Sequence, residues 1–268
     1  MQILCSLSPK FFKLSPIELI NITLKYPAIK GFEIAFHSDM GDTDPASEAE
    51  FVKNLAFLMK KHDLKLQLHA LTNKDLTKQK EYLDIAEQLA KIMDDKIKIV
   101  FHPLLGESID DSNKINNNYF AELLDYIKVN DYNLTITAEN LTNGLDKNFL
   151  IPIISNFHNL GFTFDIGHEI YNYGLITDTD QILIDRLDNV HLHTFTTGFD
   201  HQKLYKKDKQ KSDWVKSLLW LKKLKYKNSV VLEFDLNKME GEILEERIND
   251  YFEVSNLVND YIKSTTVY

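Results

Sequence analysis

Residues 133–140 read NLTITAEN. Side chains alternate across an extended chain, so Leu134, Ile136 and Ala138 share one face and Thr135, Thr137 and Glu139 the other. The apolar face is expected to pack on helices. The polar face then turns inward, and Glu139 ends its row. The phase recurs downstream. In GFTFD (161–165), Phe162 and Phe164 oppose Thr163 and Asp165. In NVHLH (189–193), Val190 and Leu192 oppose His191 and His193. In VVLEF (230–234), Val230, Leu232 and Phe234 oppose Val231 and Glu233.

Working outward, strand candidates fall at 2–7, 31–36, 65–70, 97–102, 133–138, 161–165, 189–194 and 229–234. Between them lie helical patterns near 15–25, 46–62, 75–93, 117–129, 147–158, 178–187, 212–224 and 239–263. Eight such alternations predict an α/β chain forming one closed parallel (β/α)8 barrel over residues 1–268. An open doubly wound sheet is the rival. Ser15-Pro16 and Asp44-Pro45 are helix starts, and Thr177 or Asp178 is expected to cap the sixth helix. The polar stretches 105–118 and 196–211 read as long loops after the fourth and seventh strands.

Parity also sorts the earlier strands. Gln67 and His69 oppose Leu66 and Leu68, and His102 shares a face with Val100. Six strands thus each deliver a His, Asp or Glu near the C-terminal end of the inward row, where barrel enzymes place their sites. Of nine histidines, His37, His69, His102, His168, His191, His193 and His201 fall at strand tops or in the loops that follow; only His62 and His158 sit at helix ends. His37 reads as structural or substrate-facing. Carboxylates converging in a buried mouth repel one another, and a divalent cation neutralises them. Mixed imidazole and carboxylate suits zinc, manganese, iron or cobalt more than calcium. Glu33, inward on the second strand, reads equally as a satisfied core carboxylate or as a group orienting a ligand.

The bulk numbers narrow the partners. The net charge is −9 and the only arginines are Arg186 and Arg247, which argues against a nucleic-acid partner. The run Lys203, Lys206, Lys207, Lys209 and Lys211 is the local exception, and reads first as a solvated loop. Cys5 is the single cysteine, so no intrachain disulfide forms and a cytoplasmic home is expected. Signal-peptide and membrane-spanning patterns are absent from the sequence.

AEN (138–140), FDIGH (164–168), VHLH (190–193) and VLEF (231–234) carry a resemblance. With them the chain resembles the xylose isomerase-like TIM-barrel superfamily, which includes sugar-phosphate isomerases and epimerases and the type-IV apurinic endonucleases. The epimerase branch implies one metal held by Glu139, Asp165, His193 and Glu233, with His168 touching substrate. His191 is the alternative to His193, since both point inward. Zinc or manganese is the expected ion, with cobalt, iron or magnesium as further options. The endonuclease branch implies three ions, adding His69, His102, His168 and His201; it would place an Asp where Phe199 stands, with Asp200 adjacent.

Three functions follow. The first is isomerisation or epimerisation of a small sugar or sugar phosphate through an enediolate. Glu139 and Glu233 would serve as base and acid, with His168, His191, His69 and His102 around the substrate. The second is metal-dependent cleavage of abasic DNA. The third is a non-catalytic barrel that binds metal or sugar. The oligomeric state is not legible.

Overall fold

The phase read from the strands is the phase the chain adopts. The computed structural model describes residues 1–7, 14–36, 45–70, 74–142, 144–173, 179–196, 199–202, 204, 211–235 and 244–264. The strands are β1 (Gln2–Leu7), β2 (Ile29–Phe36), β3 (Lys65–Ala70), β4 (Ile97–Phe101), β5 (Leu134–Glu139), β6 (Leu160–Asp165), β7 (Leu187–Leu192), β8 (Thr194–Thr196), β9 (Phe199–Gln202) and β10 (Ser229–Leu232). β1 to β7 and β10 form a closed parallel barrel, with β10 pairing β7 on one side and β1 on the other. The helices are α1 (Pro16–Thr23), α2 (Pro45–Lys61), α3 (Leu76–Met93), α4 (Ile109–Val129), α5 (Lys147–Asn156), α6 (Ile166–Tyr173), α7 (Gln181–Asp185), α8 (Lys211–Lys223) and α9 (Leu244–Ser264). None of the described helices is long and apolar enough to cross a membrane.

The outward residues of the strands, among them Phe32, Leu68, Ile99, Ile136, Phe162, Phe164, Val190 and Leu232, join Leu19, Leu55, Leu83, Phe120, Leu150, Trp214 and Phe252 of the helices in one apolar cluster. Leu4, Val100 and Val231 are buried as completely but stand outside that cluster. They occupy the inward phase and fill the barrel's interior. The interior is otherwise polar. Thr137 and Thr163 hydroxyls meet at 2.6 Å. Below the mouth, Gln67 Nε2 donates to Glu33 Oε2 at 2.6 Å, and Ser229 Oγ bridges Gln67 Oε1 at 3.1 Å and Asn189 Oδ1 at 2.8 Å.

Four features differ from the sequence reading. The stretch 105–118 is not all loop, because α4 begins at Ile109 with Ser108 accepting from the Asp111 amide. Its polar residues are helical and work for the loop before it: Asn116 bonds both the N–H and the C=O of Leu104, and Ser112 Oγ accepts from the Gly106 amide. A short helix, α6, follows β6 directly. The stretch 196–211 is not all loop, because β9 lies in it and pairs antiparallel with β8, Thr194 opposite Gln202 and Thr196 opposite Phe199. The cap of α7 is Asp180, whose side chain accepts from the Ile182 amide; Thr177 and Asp178 lie outside the described residues, as do His37 and Asp44.

The start of α1 is as read. Ser15 and Glu18 form a reciprocal capping box, with Pro16 in the first turn. Ser15→Ala is expected to lower stability by about 1 kcal/mol in chemical denaturation. An unchanged midpoint would mean that the cap contributes nothing at this exposed site.

Candidate metal centre at the C-terminal mouth

Each acidic side chain reaches the mouth because its strand ends there. Glu139 is the last residue of β5, Asp165 the last of β6, and Glu233 follows β10. Asn140 ties two of these ends together: its Oδ1 accepts from the Asp165 amide at 2.7 Å and its Nδ2 donates to the Asp165 carbonyl at 2.9 Å.

The spacing of Asp165 and His168 has a local cause. Asp165 stands just before α6, and its Oδ1 accepts from the His168 amide at 2.7 Å. That is an N-cap bond to the third helical residue, which satisfies an otherwise orphaned amide. The first turn of α6 then aims His168 back at the centre. Its Nδ1 lies 3.4 Å from Asp165 Oδ2, 3.8 Å from Glu139 Oε1 and 3.0 Å from the Asn140 carbonyl.

His191 sits among all the carboxylates. Its Nδ1 is 3.0 Å from Glu233 Oε2, 3.2 Å from Glu139 Oε1 and 3.9 Å from Asp165 Oδ2. Its Nε2 is 3.1 Å from Glu33 Oε2. One ligand atom each from Glu139, Asp165, His191 and Glu233 falls within 4.8 Å of the others. The converging set thus has His191 where the resemblance put His193. His191 is fully buried, so it faces carboxylates rather than the open mouth where a substrate hydroxyl would lie.

His193 is turned elsewhere by a glycine. A Cβ at Gly167 would stand 2.2–2.4 Å from the His193 ring. Gly167 therefore admits that imidazole against the backbone of α6. There its Nε2 meets Asp165 at 3.1 Å, and its ring stacks on His201 at 4.4 Å between centroids. His168, His193 and His201 form a second group with close ligand atoms. His201 adopts a left-handed backbone, φ 51°, on β9. A third group joins His69, His102 and Glu139: both imidazole Nε2 atoms are 3.3 Å from Glu139 Oε2 and 2.7 Å from each other. The side chains of Phe199 and Asp200, and all of Lys203, Lys206, Lys207 and Lys209, lie outside what is described.

Imidazoles and carboxylates at the mouth shift one another strongly. Burial alone would raise the Glu139 carboxyl, but His191, His102 and His69 outweigh it and hold it well below the usual range. Glu233 is held down in the same way by His191 and His201. Burial would depress His69, yet Glu139, Glu233 and Glu33 lift it to about 10. His191 is likewise raised well above its ordinary value, with burial opposing and Glu33, Glu139 and Glu233 prevailing. Burial keeps His102 below its ordinary value. Glu139 Oε2 and Glu233 Oε2 are buried and accept no hydrogen bond among the described residues. Buried carboxylate oxygens left without donors, beside imidazoles and further carboxylates, fit a divalent ion.

Fold and site together define a parallel (β/α)8 barrel whose C-terminal mouth gathers His, Glu and Asp ligand atoms in groups that could hold a metal ion. The family model described as xylose isomerase-like TIM barrel matches residues 28–249, and the chain belongs to that family. No curated protein sequence matches the chain. Among solved structures it is similar to a D-tagatose 3-epimerase-like protein, at 18% identity and TM-score 0.66, covering 98% of this chain and 100% of that one. It is similar to the D-psicose 3-epimerase of Clostridium cellulolyticum H10 with D-tagatose, at 14% identity and TM-score 0.67, covering 97% and 99%. It is also similar to the IOLI protein with a binding zinc atom, at 16% identity and TM-score 0.67, covering 99% and 100%. At these identities the likeness is one of fold.

Proposed function

We propose that the protein is a divalent-metal-dependent isomerase or epimerase of a small sugar or sugar phosphate, acting in the cytoplasm. The observation that carries the reading is the convergence of Glu139, Asp165, His191 and Glu233 on one point at the mouth. The neighbours whose names include 3-epimerase and D-tagatose support it, as does the zinc of the IOLI protein for the cofactor. These four side chains would hold the ion, zinc or manganese first. A bound ion would supply Lewis-acid polarisation of the substrate carbonyl.

The chain's own residues do the rest. Glu139 and Glu233 reach the centre from different strands and are both held ionised, so each is able to accept a proton from carbon on its side of the substrate. Glu233 is the more open, with 13% of its side chain exposed against 1% for Glu139. His168 and His102 border the same space and would orient hydroxyls; His69 lies deeper, at the junction of Glu139, Glu33 and His102.

A specific observation favours a second reading, metal-dependent phosphodiester cleavage at abasic DNA. Among the described residues four overlapping groups have close ligand atoms, two of them sharing Glu139, two sharing His191 and one gathered at His193, and they offer ligands for more than one ion. The net charge of −9 and the two arginines speak against it. A barrel that binds metal or sugar without catalysis is the third reading.

The test is metal content followed by exchange. The purified protein is expected to retain about one divalent ion per chain by elemental analysis. It should also catalyse metal-dependent exchange of a substrate C–H with solvent deuterium for a ketose, an aldose or one of their phosphates. About three ions, with cutting of abasic DNA and no exchange across the sugar panel, would replace the proposal with the second reading. Full metal loading with neither activity would favour the third.

A further inference from the structure

Glu33 lies one layer below the converging ligands, on β2, and is fully buried. Its carboxylate bridges two imidazoles: Oε2 is 3.1 Å from His191 Nε2, and Oε1 is 3.3 Å from His69 Nδ1. Oε2 also receives Gln67 Nε2 at 2.6 Å and Asn189 Nδ2 at 3.4 Å. Those amides are themselves held by Ser229, so β2, β3, β7 and β10 all contribute to the cradle.

A carboxylate accepts and never donates when ionised, so a ring nitrogen hydrogen-bonded to it must carry the proton. His191 Nε2 therefore donates to Glu33. Nδ1 faces Glu139, Asp165 and Glu233, and it is the nitrogen whose proton a bound cation would displace, while Glu33 holds the proton on Nε2. Glu33 also has a ligand atom close to those of His69, His191 and Glu233, and its Oε1 accepts no hydrogen bond among the described residues, but Oε2, the oxygen that faces His191, is already taken by amide and imidazole donors. From this placement we infer that Glu33 is the positioning residue of the metal centre. It fixes the tautomer and tilt of His191 so that Nδ1 is presented to the ion, and backs His69 from the same carboxylate. The inference rests on the metal-centre reading above. It assigns a role to a side chain outside the converging set of four.

Removing the partner that orients a ligating His weakens metal binding by roughly 10–100-fold in comparable sites. Glu33→Gln keeps the shape and loses the obligatory acceptor. The test is zinc competition titration against a chelating dye, for wild type and Glu33→Gln, with the apo melting temperature measured alongside. In parallel, nitrogen-15 spectra of histidine-labelled, zinc-loaded wild type report which His191 nitrogen is protonated, with the resonance assigned by its loss in His191→Gln. The expected result is a ~10–100-fold weaker zinc affinity in Glu33→Gln, with His191 protonated at Nε2 and metallated at Nδ1 in wild type. A merely structural Glu33 would lower the melting temperature and leave the affinity of the folded protein alone, which overturns the inference. Loss of a whole equivalent of zinc, rather than weaker binding, would make Glu33 a ligand and overturn it also. Should Glu33→Gln fail to fold, the wild-type spectrum decides: His191 protonated at Nδ1 refutes the role. Wild type that takes up no zinc removes the metal reading and this role with it. Wild type that binds zinc with Glu33→Gln matching it removes only the role of Glu33.

Discussion

Replacing Glu233 by Gln is expected to abolish solvent deuterium exchange, by about 10²–10⁴-fold or more, even in protein loaded with metal. The amide keeps the volume and one coordinating oxygen, so some ion should remain. What it lacks is a basic oxygen. Glu233 suits the base because the neighbouring His191 and His201 overcome the upward push of burial and keep its carboxylate ionised. It is also partly exposed at the mouth, where a substrate carbon can reach it. Glu139→Gln separates the roles. Glu139 is buried and shared between the His69–His102 pair and the converging set, so its loss should first lower metal occupancy. Both variants are read at saturating metal, with occupancy measured on the same sample. Wild-type exchange rates in fully loaded Glu233→Gln would remove Glu233 from the proton transfer and leave Glu139 as the base.

Much of this site was legible because strand parity is a strict period. The face that packs on helices must be apolar, so the opposite face was assigned by elimination, and Glu139, Asp165 and Glu233 follow from it. Parity cannot choose between His191 and His193, since both obey it. The resemblance names His193, with His191 as the alternative. In the structure it is His191 whose ring falls with Glu139, Asp165 and Glu233, while Gly167 opens a space beside α6 that the His193 ring enters. Gly167 stands in the quoted FDIGH, but its meaning depends on a contact with His193, the residue after β7, that no local pattern reveals. The polar start of α4 failed for a related reason. Asn and Ser are poor helix formers, and here Asn116 and Ser112 are kept in a helix by bonding the loop that precedes it. A usable signal was present: Ser108 three residues before Asp111, with acid in the first turn. The helix α6 carries one too, in Asp165 as cap, although the glycine in its first turn is a poor helix former.

Lys147→Met is expected to destabilise the protein by about 3–5 kcal/mol, the largest single effect on stability anticipated here. Lys147, the first residue of α5, is 1% exposed, and Glu169, in α6, is fully buried. Their charged atoms meet at 2.8 Å, with the ammonium 6.0 Å from the Phe164 ring centroid. Deleting the ammonium leaves a carboxylate in the interior without its counter-charge, which is far worse than deleting both. At roughly 2–4 °C per kcal/mol for a chain of this size, the melting temperature should fall by about 6–20 °C. Lys147→Met combined with Glu169→Leu should recover most of that loss, because two apolar side chains replace the pair without a stranded charge. The consequence reaches the site. Glu169 is the neighbour of His168 on an eight-residue helix, so the pair anchors to α5 the turn that aims His168 at the centre. Metal-loaded Lys147→Met, assayed well below its melting temperature, should therefore lose exchange activity beyond what its folded fraction explains, whereas the double variant should regain it. A single variant as stable as wild type would show that the buried pair does not hold α6. A double variant no better than the single would show that the loss came from something other than the stranded carboxylate.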